Sequence, residues 1–60
     1  MKYSEYLLIT YRNGNTIDFL NFDTLEDVSS YKINKNVDKT RLFKLNQLKN
    51  GRDLIEEKRY

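Results

Sequence analysis

The side chains of this chain that could do chemistry are nine carboxylates, eleven Lys or Arg and five tyrosines; histidine and cysteine are absent. That leaves no imidazole for general acid–base work, no thiolate nucleophile, no disulfide and no Cys/His zinc site. The carboxylates are Glu5, Asp18, Asp23, Glu26, Asp27, Asp38, Asp53, Glu56 and Glu57. None adjoins a Gly-rich phosphate loop and none has a paired-acid spacing; Glu56 and Glu57 point to opposite faces if the tail is a strand. Asp23, Glu26 and Asp27 suit the first turn of a helix, and their spacing is not that of an EF-hand loop. Sixty residues in two layers also leave little room for a small-molecule pocket of ~300 Å³ or more. The expectation is a protein that is not an enzyme and carries no metal or other cofactor.

The basic side chains are unevenly placed. Residues 1–30 hold two Lys/Arg against five acids, whereas residues 31–60 hold nine against four. Lys32, Lys35, Lys39, Arg41, Lys44, Lys49 and Arg52 are opposed only by Asp38, and Tyr31 and Phe43 lie among them. Basic side chains interleaved with aromatics are the pattern of a nucleic-acid contact. The candidates are Lys35, Lys39, Arg41, Lys44, Lys49 and Arg52. On a strand, however, Arg41 and Phe43 share one face while Lys44 lies on the other beside Leu42. The ten positions from Lys39 to Lys49 would span roughly 33 Å of extended chain. That is a diffuse stripe, and the net charge is only +2. Nucleic-acid binding is therefore the alternative reading, with no measurable DNA binding expected at physiological salt.

The elements that must position these groups are legible as α+β. The segment from Met1 to Phe22 reads as a hairpin, with strands at Tyr6 to Tyr11 and Thr16 to Phe22 around Asn13-Gly14. A two-residue turn would pair Ile9 with Asp18; a three-residue turn would pair Ile9 with Ile17 and Leu7 with Phe19. The second gathers Leu7, Ile9, Tyr11, Ile17 and Phe19 on one face and is preferred. Asp23 then caps a helix in capping-box spacing with Glu26, with Leu25, Val28 and Tyr31 or Lys32 inward, fading near Ile33. Thr40 to Leu48 is a third strand, and Lys49-Asn50-Gly51-Arg52 repeats the first turn in character. Residues 53–60 form a fourth strand, with a helix capped by Asp53 as the competing reading. The result is one ββαββ domain: a single antiparallel sheet with one helix packed on one face.

Such a sheet has one face too many. Tyr6, Leu8, Leu20 and Phe22 fall opposite Leu7, Ile9, Ile17 and Phe19, and one helix covers only one side. Tyr6, Leu8, Leu20 and Phe22 are accordingly the candidate protein interface, to another protein or to a second copy. No apolar run reaches the ~18 residues of a membrane span, and the start of the chain lacks signal-peptide architecture, so the cytoplasm is the expected compartment. Phe, Tyr, Met, Ile, Asn and Lys supply 27 residues, against 6 from Gly, Ala, Arg and Pro. In that AT-rich codon bias and its length the chain resembles the short proteins carried by phages and prophages of low-GC bacteria. The resemblance implies a protein-binding module that modulates or inhibits a host protein in the host cytoplasm.

Overall fold

Asn13 and Gly14 govern the first hairpin. Both have positive φ, 51° and 80°, as a two-residue type I′ turn requires. In the computed structural model, which describes residues 5–60, they join β1 (Tyr6–Arg12) to β2 (Asn15–Phe22). The opening of the hairpin segment, residues 1–4, lies outside the described residues. Arg12 pairs with Asn15 and Tyr11 with Thr16, so the preferred three-residue turn is overturned in favour of the two-residue one. The register then shifts: Thr10 pairs with Asp18 and Ile9 with Phe19, leaving Ile17 as the extra residue of a β-bulge. Thr10 is 2 % exposed, and its Oγ1 accepts from the Asp18 N–H at 3.1 Å. That bond secures the bulge, and neither expected partner of Ile9 is the one it has.

The helix is shorter than its sequence pattern predicts. α1 spans Leu25–Ser30, and its N-cap is Thr24, whose Oγ1 accepts from the Asp27 N–H at 3.1 Å. The cap therefore falls one residue after Asp23, with Asp27 at N3 in place of Glu26. Tyr31 is extended (φ −71°, ψ 129°) and ends the helix, so Tyr31, Lys32 and Ile33 lie beyond it. Near that end Ser30 Oγ donates to the Glu26 carbonyl at 2.9 Å, the local competition that weakens serine-rich helices.

The second hairpin joins β3 (Lys39–Asn46) to β4 (Gly51–Arg59). β3 stops two residues short of Leu48 because Asn46 Oδ1 accepts from the backbone N–H of Leu48 and Lys49, turning the chain. Asn50 takes the left-handed conformation (φ 53°) and Gly51 opens β4, so this Asn-Gly does not repeat the turn of the first. The tail is a strand. It too carries a bulge, at Ile55, between the Leu42–Glu56 and Phe43–Leu54 pairs.

The sheet has four antiparallel strands in the order β2-β1-β3-β4, with one short helix beside it. α1 packs against β1 and β2. Beneath it Tyr6, Leu8 and Leu42 form the buried core, with Leu20, Phe22, Val28 and Ile33 packed around them. This reverses the expected assignment of faces. Tyr6, Leu8, Leu20 and Phe22, taken as an interface, are the covered side; Leu7, Ile9 and Phe19 are on the uncovered one. The reason lies in β3. Its middle places Arg41 opposite Ile9 on one side of the sheet and Leu42 opposite Leu8 on the other. The side α1 covers is the one whose centre is leucine, and the open side carries the Arg41–Glu57 pair.

Candidate functional site

Strand pairing and alternation fix what the uncovered face displays. β1 contributes Leu7, Ile9 and Tyr11, β2 Thr16, Phe19 and Asn21, β3 Lys39, Arg41, Phe43 and Leu45, and β4 Arg52, Leu54, Glu57 and Arg59. Leu7 pairs with Phe43 and Phe43 with Leu54; Ile9 pairs with Phe19. An apolar band thus crosses all four strands diagonally. Phe19 is 63 % exposed and Leu54 52 %, while the central members are half-buried by their neighbours alone. Among the described residues no element lies over this face.

One corner of it is charged and ordered. Arg41 Nε donates to Glu57 Oε1 at 2.7 Å. The hydrogen bond holds the Glu57 carboxyl below the usual glutamate range and the Arg41 guanidinium above its ordinary value. Arg41 Cζ stands 5.4 Å and Lys39 Nζ 4.8 Å from the centroid of the Tyr11 ring, within cation–π range. Asp38 ties the adjoining loop to the first turn: its carboxylate accepts from the Asn13 N–H at 2.8 Å, and its own N–H donates to the Tyr11 carbonyl at 2.9 Å.

The six candidate nucleic-acid contacts do not converge. Lys39, Arg41 and Arg52 belong to the open face, whereas Lys44 pairs with Tyr6 on the helix side and lies 3.9 Å from Glu5. Lys35 is in the loop before β3. Lys49, in the second turn, bonds Asp53 at 3.0 Å, and with Asn46 at 2.7 Å it depresses the Asp53 carboxyl, the Asn46 bond being the larger cause. β4 supplies Arg59, which the sequence reading left out because it lies beyond the 32–52 stretch.

On the other side, α1 packs against β1 and β2 and not against β3 or β4. The result is an open groove of about 410 Å³, with Leu8, Leu42 and Thr40 beneath, Leu25, Val28 and Ile33 on one flank and Glu56, Lys58 and Tyr60 on the other. It is larger than the size argument allows for a two-layer domain, because a six-residue helix spans only half the sheet. Glu56 is paired with Lys58 at 3.6 Å. No cluster of three or more His, Cys, Asp or Glu suited to a metal ion occurs among the described residues. No helix among them is long and apolar enough to cross a membrane.

Sequence reasoning placed Leu7, Ile9 and Phe19 on the covered side, took Phe43 only as an aromatic among the basic residues, and gave Leu54 no place on a face. The signal for the open side was in β3, where Lys39, Arg41, Phe43 and Leu45 alternate with Thr40, Leu42 and Lys44. No protein-family model, curated protein or solved structure matches the chain.

Proposed function

We propose that the chain is a non-enzymatic protein-binding module that works through the open face of its sheet. The observation that carries this is the diagonal band Phe19, Ile9, Leu7, Phe43 and Leu54, apolar side chains from four strands with nothing described above them. A continuous apolar patch bordered by charge is the composition of a contact surface: its centre gains by desolvation and its rim sets orientation. The codon bias and length shared with phage and prophage proteins favour a modulator or inhibitor of a host protein, acting in the host cytoplasm.

A second reading has its own observation. Tyr11, flanked by Lys39 and Arg41, shares the face with Phe43 and Phe19, and aromatic rings among cations can stack nucleic-acid bases. Aliphatic side chains outnumber these rings on the face, which favours protein. One experiment separates the two. Immobilised chain should retain protein, from cell lysate or from its own soluble form, after nuclease treatment and at raised salt. Phe19→Lys should abolish that retention. Material released by nuclease, with affinity falling steeply as salt rises, would reject protein binding in favour of nucleic acid.

A further inference from the structure

We propose that the occupant of the open face is a second copy of this chain, the two sheets stacking about a two-fold axis that crosses the strands at the level of Leu7 and Phe43. The inference rests on the binding-face reading and names its partner. Three observations support it.

The first is the size of the core. Only Tyr6, Leu8, Val37 and Leu42 are buried apolar residues among those described. The open face carries more large apolar side chains than that. A 60-residue chain without disulfides or metal-binding clusters among its described residues is marginal on such a core, and small domains of this kind are commonly held together by association. A second copy is a cover present whenever the chain is.

The second is area. Four strands about 4.8 Å apart and about seven residues long at ~3.3 Å each make a face of about 440 Å² in projection. Two such faces bury about 900 Å² before side-chain relief is counted, close to the ~1,000 Å² that a specific interface must clear.

The third is charge. A two-fold axis through the Leu7–Phe43 level sets that row on itself, Leu7, Phe43 and Leu54 meeting their own copies and Asn21 meeting its copy at the β2 edge. The row holding Leu45 and Arg52 then meets the partner row holding Arg41 and Glu57, with Arg52 of one copy over Glu57 of the other. Lys39 and Arg59, one row further out, pass beyond the end of the opposite sheet. Opposite charges meet at Arg52 and Glu57, while Arg41, bonded to Glu57 in its own sheet, falls on the other copy's Leu45. Rotation about an axis along the strands would instead set Ile9 on Arg41 and Phe19 on Glu57, with no opposite charge brought across to either.

Sedimentation equilibrium of the full chain tests this. The wild type should have twice its 7.3 kDa mass at about 0.1 mM. Leu54→Lys and Phe19→Glu should return it to the single-chain mass, while Leu25→Lys, at an exposed position on the helix side, should leave the dimer intact. A wild type that remains a single chain at about 1 mM overturns the proposal. So does a dimer that survives both open-face variants and is lost in Leu25→Lys, which places the contact in the groove. If the open-face variants unfold, the melting midpoint of the wild type decides. A midpoint that rises with concentration upholds the proposal, and one independent of concentration overturns it. A single-chain wild type would leave the broader reading standing, to fail only if Phe19→Lys retains the same lysate protein as the wild type.

Discussion

At the scale of single residues, two backbone and charge features are directly testable. Gly14 sits at φ 80°, and a Cβ placed there would meet nothing within 4 Å, so the penalty of a side chain is purely conformational. A β-branched residue is the least able to adopt that conformation. Gly14→Val should lower stability by about 1–3 kcal/mol, read as a drop in urea midpoint; an unchanged midpoint would contradict the type I′ turn. The second feature is Glu57, whose carboxyl lies below its ordinary value of 4.5 because it accepts from Arg41. A carboxylate with a depressed folded value stabilises the protein above its unfolded value, and that contribution disappears as pH falls through the folded one. Thermal stability should therefore fall on acidification below about pH 4.5, and less steeply in Glu57→Gln. Both groups are exposed, so the difference is small; equal slopes for the two proteins would show that the pair contributes nothing.

At the scale of elements, the sequence revealed which segments are strands and where the chain turns, and misjudged details decided by side-chain bonds to the backbone. Asp23 and Thr24 are both good caps, and propensity does not choose between them; the Thr24 hydroxyl reaching the Asp27 N–H does. Thr24→Ala should cost about 1 kcal/mol and Asp23→Ala clearly less, a contrast that chemical denaturation can read. The hairpin register was misjudged for a related reason. Two rigid registers were compared, whereas the strands combine a two-residue turn with a bulge at Ile17. No hydrophobic pattern announces that bulge, because Thr10 holds it through a hydroxyl accepting from the Asp18 N–H. Thr10→Val keeps the shape and removes the acceptor. It should cost about 1–3 kcal/mol, and backbone amide exchange near Asp18 should speed up; unchanged exchange there would mean the bulge needs no hydroxyl.

At the scale of the whole molecule, the choice of face was the part the sequence obscured, and it decides which residues α1 covers. The first hairpin alone is ambiguous, since both of its sides are apolar: Leu7, Ile9 and Phe19 against Tyr6, Leu8 and Leu20. The ambiguity ends only when β3 is docked against β1, a contact between residues 28 to 38 positions apart. Docking sets Arg41 at the middle of one side and Leu42 at the middle of the other, and burial follows the uncharged centre. Reading Arg41 as a nucleic-acid contact hid its structural meaning, which is to mark the side that the helix leaves open. The two sides should therefore respond oppositely to the same substitution. Leu8 is 4 % exposed, so Leu8→Lys strands an ammonium in the core and should abolish folding at every concentration. Phe19 is 63 % exposed, so Phe19→Lys should retain the native far-UV spectrum at high concentration while losing its binding partner. A folded Leu8→Lys protein beside an unfolded Phe19→Lys protein would mean that the helix covers the other side of the sheet.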